Sequence, residues 1–123
     1  MAKDESKLWQ EVKKKITQIF FTRLESWASA GVPDLLCYNK NNKFFTIELK
    51  VIRGKKLKFS PHQISFHIRH PINSFILAKP LGPLAPKLYE GRQIQDLLTL
   101  GHVPVAAVAE GWTKVQEHLV NVT

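Results

Sequence analysis

The sequence holds a single cysteine, Cys37, which excludes an internal disulfide framework and any cysteine-rich zinc site. It contains no apolar run near the ~20 residues that a membrane-crossing helix needs. The opening stretch MAKDESKLWQEVKKK has no apolar h-region, so no secretory leader is expected and the chain reads as intracellular, that is, cytoplasmic. Internal repeats, low-complexity tracts and linkers are missing too. Acids are scarce: 10 Asp and Glu stand against 18 Lys and Arg, a formal net charge of +8 and a pI of about 9.8. That deficit points toward a polyanion, most simply nucleic acid. What is present suits one globular domain. The 123 residues are 44% hydrophobic and 23% charged, enough apolar material for one core.

The positive charge is segregated. Residues 40–70 carry Lys40, Lys43, Lys50, Arg53, Lys55, Lys56, Lys58 and Arg69 against Glu48 alone. Residues 91–123 carry Arg92 and Lys114 against Asp96, Glu110 and Glu117. Segregation of this kind suggests a binding face, although lysine-rich loops also occur as plain solvated surface.

Periodicity gives a coarse order of elements. Leu8, Val12 and Ile16 recur at helical spacing over residues 4–17, with Trp9 beside them and Asp4 as the expected N-cap. Residues 18–27 turn β-branched and aromatic and predict a strand with Phe21, Arg23, Glu25 and Trp27 on one face. Ala30–Pro33 predicts a turn, 34–38 a short buried strand, 39–43 a polar turn and 44–51 a second strand, together a hairpin. A basic loop leads to Ser60-Pro61-His62-Gln63, a capping-box helix start, and that helix should end near Arg69, before Pro71. Residues 74–78 predict a strand, 87–90 a sheet extension, 92–100 a helix and 112–120 an amphipathic helix, while 103–109 fit either strand or loop. The fold class is α/β: a mixed sheet flanked by helices, in the order αβββαβ, with a helical C-terminal appendage.

Three residues carry the chemistry. Glu48 and Lys50 lie two apart in the second hairpin strand and so project from one face, while Phe45, Ile47, Leu49 and Val51 project from the other. The hairpin lets Asp34 approach Glu48. Two close carboxylates repel, and a hard divalent cation relieves the repulsion. Oxygen ligands suit Mg²⁺ or Mn²⁺ rather than zinc, and the Leu49 carbonyl offers another oxygen. Lys50 would then face the reacting centre and stabilise developing negative charge, the layout of metal-assisted phosphodiester hydrolysis. A plainer alternative is an ion-pair set on a solvated sheet face, with Asp34 a turn residue. Glu25 is a rival third carboxylate, and an Arg23–Glu25 surface pair is its simpler reading. His62, His67 and His70 read as surface histidines, and Trp9, Trp112 and the seven phenylalanines as core. No aromatic ladder suited to stacking bases is expected.

The combination Gly31-Val32-Pro33-Asp34-Leu35, Ile47-Glu48-Leu49-Lys50-Val51 and Leu57-Lys58-Phe59-Ser60-Pro61-His62-Gln63 resembles the PD-(D/E)XK nuclease superfamily. Within it, the segments look most like the small stand-alone VRR-type nucleases of phages and bacteria, and the layout is similar to archaeal-type Holliday junction resolvases. Two residues are inserted between Leu57 and Ser60 relative to that pattern. The resemblance covers about residues 4–79 and leaves 80–123 as an extension of a single nuclease domain. It implies a restriction-endonuclease-like core, a Mg²⁺ or Mn²⁺ cofactor on Asp34 and Glu48, and a catalytic Lys50. It also implies an acid from the first helix at the metal, with Glu5 the better fit and Glu11 the runner-up, and Gln63 reaching the site. The expected activity is endonucleolytic cleavage of branched DNA in recombination or repair, with four-way junctions as the implied substrate, Arg53, Lys55, Lys56, Lys58, Lys43 and Arg69 on phosphate, and a homodimer matched to the junction's near-two-fold symmetry. Phe44, Phe75 and Trp112 are candidates for that dimer's interface. Two alternatives stay open: a non-catalytic nucleic-acid-binding module of the same fold, and an RNA-directed nuclease.

Overall fold

The apolar stripe of Leu8, Trp9 and Val12 is buried along α1 (Lys3–Lys15), with Ile16 buried just past its end. Asp4 sits inside the first turn rather than at the N-cap, and its carboxylate pairs with the Arg53 guanidinium. A computed structural model describes residues 3–24, 30–55 and 57–123; Glu25, Trp27 and Lys56 lie outside the described residues. The strands are β1 (Phe20–Arg23), β2 (Leu35–Tyr38), β3 (Phe44–Ile52), β4 (Ser74–Pro80), β5 (Lys87–Glu90) and β6 (Ala109–Glu110). The remaining helices are α2 (Pro61–Arg69), α3 (Ile94–Leu100) and α4 (Trp112–Val120), and a short 3₁₀ turn at Gly91–Gln93 precedes α3.

The six strands of the described residues form one sheet in chain order. Pairing is antiparallel throughout except for the central β3–β4 pair, which α2 connects as a parallel crossover. The αβββαβ order is therefore present, and the C-terminal part adds strands as well as helices to it. Alternation along β3 divides the core. Phe45, Ile47 and Leu49 join Leu8, Val12, Leu35, Leu77, Leu88, Val115 and Leu119 beneath α1 and α4. Ile52 joins Ile76, Ala78, Tyr89, Ile94 and Leu97 beneath α2 and α3.

Several expectations shift. Phe75 is core, at 4% exposure, and it packs edge-on against Phe45 with ring centroids 5.6 Å apart. Phe20, read as core, is 77% exposed, and Phe44, read as core or interface, is 60% exposed. Residues 103–108 form no strand: their backbone is held by long-range contacts such as Val108 N–H to the Leu88 carbonyl at 2.8 Å. Among the described residues, no helix is long and apolar enough to cross a membrane.

Candidate active site

Asp34 immediately precedes β2. The β2–β3 register pairs Leu35 with Ile47 and Leu36 with Thr46, so one further step places Asp34 opposite Glu48. The Leu49 N–H, past the end of the ladder, donates to Asp34 Oδ2 at 2.7 Å. A strand residue directs its N–H and C=O toward the same neighbour, so the Leu49 carbonyl also leaves toward Asp34. The turn before Asp34 rests on α2. Gly31 has φ +81°, and a Cβ built there would lie 2.5 Å from the His62 carbonyl oxygen. Only glycine lets the loop seat so closely in that conformation.

Glu48 is 3% exposed and faces the α2 side of the sheet. Its Oε2 accepts from Gln63 Nε2 at 3.1 Å, and its Oε1 is buried with no partner. Gln63 Oε1 in turn accepts from Lys50 Nζ at 3.0 Å and from the Ser60 N–H at 2.9 Å. The capping box is complete, since the Gln63 N–H donates to Ser60 Oγ at 3.2 Å. One glutamine therefore fixes the start of α2 and bridges the acid and the lysine of β3. Lys50 Nζ also lies 4.8 Å from the Phe59 ring centroid, a cation–π contact that the sequence did not reveal.

Burial pushes the Glu48 carboxyl up to about 8, with the charges of Asp34 and Glu5 adding to it and Lys50 opposing. Without metal the Glu48 carboxyl thus keeps its proton at neutral pH. Near this centre a hollow of about 300 Å³ is lined by Glu5, Lys50, Val51, Arg53 and Lys58. The first-helix acid brought toward Lys50 is Glu5. Glu11 opens instead on a separate hollow beside Asp4, Lys7 and Lys79.

The donor set fits a hard divalent cation: two carboxyl groups within each other's field, one buried carboxylate oxygen lacking any partner, and a carbonyl aimed the same way. Among the described residues, no three Asp, Glu, His or Cys side chains converge to ligate one ion. That falls within the habit of Mg²⁺, which keeps several waters and takes one or two carboxylates.

The basic residues divide. Lys58 and Arg53 border the hollow, Arg53 already engaged by Asp4. Lys55 is exposed on the loop after β3. Lys43 is in the hairpin turn, five residues or ~16 Å along β3 from Glu48, and Arg69 is at the far end of α2. His67 is fully buried, not a surface histidine: its Nδ1 lies 2.7 Å from Ser74 Oγ, its Nε2 has no partner, and burial chiefly, with Lys50 and His70, pushes it down to about 4. The signal in sequence was Ser74 at the head of the next strand, a partner that only the crossover brings near. His62 and His70 are exposed, and His70 stacks on Phe66 at 4.2 Å.

No protein-family model matches this sequence, and no curated protein matches it. Among solved structures, the chain is similar to Hjc of Archaeoglobus fulgidus, a Holliday junction resolvase from an archaeal hyperthermophile. The TM-score is 0.53 at 16% identity, over 81% of this chain and 91% of that one. The likeness is one of fold.

Proposed function

We propose that this chain is a Mg²⁺- or Mn²⁺-dependent endodeoxyribonuclease acting on branched DNA, with the four-way junction as its preferred substrate. The observation that carries the reading is the buried Glu48 carboxyl, facing Asp34 and tied through Gln63 to the Lys50 ammonium. A structural role alone gives no reason to retain an acid with an unpartnered oxygen in the interior. The likeness to an archaeal junction resolvase and the residue pattern of the PD-(D/E)XK nucleases support the same reading.

In it, Asp34, Glu48 and the Leu49 carbonyl would hold the cation, with Glu5 the acid that the first helix contributes to the site. When bound, the cation supplies Lewis-acid polarisation of the phosphodiester. Glu48 would give up its proton on loading. Gln63 holds Lys50 Nζ beside Glu48, so that the ammonium stabilises charge developing on the phosphate oxygens. Phe59 limits the directions in which that ammonium can move. Lys58, Lys55 and Arg53, with their neighbour Lys56, receive the flanking phosphates, and Lys43 and Arg69 serve more distant ones. A homodimer would present two such centres to the two strands of a junction.

The test uses a synthetic four-way junction, a flap, a fork, a duplex and a single strand, each with Mg²⁺ or with EDTA. Cleavage should need the metal, favour the junction at low salt, and vanish in Asp34→Ala and Glu48→Gln while junction binding persists. Equal rates across the panel would defeat the junction preference. Binding with no cleavage under any divalent metal would leave the non-catalytic module, and cleavage of RNA alone the RNA-directed enzyme. Sedimentation of the free protein reads the dimer.

A further inference from the structure

Phe20, Tyr38 and Phe44 sit on three adjacent strands in one register row, Phe20 paired with Tyr38 and Tyr38 with Phe44. Paired residues project to the same face, here the face that carries Glu48, four residues beyond Phe44. Helices α2 and α3 cover this face over β3 to β5, and among the described residues no helix covers its other end. Phe20 is 77% exposed, Phe44 is 60% exposed, and the Tyr38 and Phe44 rings touch at 4.5 Å between centroids. Tyr38 is held by its hydroxyl, which donates to Asn42 Oδ1 at 2.9 Å.

The surroundings are positive. Lys40 and Lys43 are exposed in the adjoining turn, and Arg69 is exposed where α2 ends. Residues 12–24, 35–47 and 49–89 contain no acid at all. An apolar surface alone does not name its occupant. Exposed rings on a sheet, the Tyr38–Phe44 pair tilted by 50°, flanked by cations match one chemistry well: unpaired bases on a phosphate backbone. An intact duplex is a poor match, because its base faces are already stacked on each other. We propose that the Phe20–Tyr38–Phe44 row is a stacking platform for unpaired DNA bases next to the cleavage centre. From Tyr38 to Asp34 is four strand residues, ~13 Å, or roughly four stacked nucleotides at ~3.4 Å each. The platform therefore engages bases a few nucleotides from the scissile phosphate, the bases that a junction frees when its arms fray at the branch point. This deepens the nuclease reading and rests on it for the word "scissile"; the stacking itself does not depend on cleavage.

The test measures binding in EDTA, where no cut is possible, with a fluorescent twelve-residue thymidine oligomer and with a duplex of equal length. Phe20→Ala combined with Phe44→Ala should weaken oligomer binding at least tenfold and leave duplex binding and the thermal midpoint nearly unchanged. Phe44→Trp should restore or strengthen it. The platform is overturned if the alanine pair binds the oligomer as the parent does, if it loses oligomer and duplex equally, or if the parent binds no oligomer. It is also overturned if the substitutions convert a dimer to monomers by sedimentation, since a second copy then covers the row, or if a uridine oligomer binds and the thymidine oligomer does not. Metal-dependent junction cleavage by the alanine pair, measured alongside, separates the two readings: unchanged cleavage with unchanged oligomer binding removes the platform and keeps the nuclease.

Discussion

Glu48 and His67 are buried titratable groups of opposite kind, and they pull the stability of the metal-free protein in opposite directions. Glu48, pushed up to about 8 from 4.5, keeps a proton in the folded chain that the unfolded chain releases. Its contribution is complete below pH 4.5 and is lost as pH rises through 8. His67, pushed down to about 4 from 6.5, refuses in the folded chain a proton that the unfolded chain accepts. Its contribution is complete above pH 6.5 and is lost as pH falls through 4. Between pH 4.5 and 6.5 the two slopes, each at most about 1.4 kcal/mol per pH unit, cancel; above 6.5 Glu48 alone remains and stability declines. Urea unfolding in EDTA should thus show a plateau followed by a decline toward pH 8. Glu48→Gln should abolish the decline and expose a rise between pH 4 and 6.5. His67→Gln should abolish the plateau, so that the decline begins near pH 4.5. A flat profile in all three proteins would contradict both shifts.

At the scale of elements, the site depends on the seating of α2 against two other segments. Its first turn is tied to β3 through Gln63 and pressed against the loop before β2 through Gly31. Gly31→Ala adds a Cβ 2.5 Å from a backbone oxygen at φ +81°. The substitution should cost roughly 1–3 kcal/mol and lower cleavage more than binding, because α2 must move and carry Gln63 away from Lys50. Denaturation and cleavage assays on the same preparation check this. Much of this geometry was legible in the residues. The 39–43 turn sets the register that faces Asp34 with Glu48, alternation puts Lys50 on the same face, and Ser60-Pro61 fixes where Gln63 begins its helix. Alternation does not say which face a neighbour covers, so Phe20 read as core and the exposed Phe44 could not be told from the buried Phe75. Residues 103–108 had no periodic signal, since contacts with distant backbone hold them.

For the whole molecule, the segment after Pro80 belongs to the core that carries the site. Val115 and Leu119 of α4 pack with Leu8 and Val12 of α1. Gln116 Oε1 accepts from the N–H groups of Thr17 and Gln18 at 2.8 and 3.1 Å. The buried Asn39 of the hairpin turn donates through Nδ2 to the Leu119 and Val122 carbonyls at 3.0 and 2.9 Å. We therefore expect a chain ending at residue 86 to lose cooperative unfolding and cleavage together. Leu119→Ala, which empties a fully buried position, should cost about 2–5 kcal/mol, read from the urea midpoint. A truncated chain that still melts cooperatively and cuts would show the segment to be dispensable.

Cys37 lies at the centre of β2 with no exposure, and burial holds its thiol well above the usual range. Reagents that attack thiolates should pass over it while the sheet is closed. The thiol is unique in the sequence, so every thiol alkylation event in a native solution counts one opening of the β1–β2–β3 half of the sheet. The protein thus carries its own clock for breathing at the segment that presents Asp34, and the labelling rate with and without a divalent cation would time how firmly that half is shut.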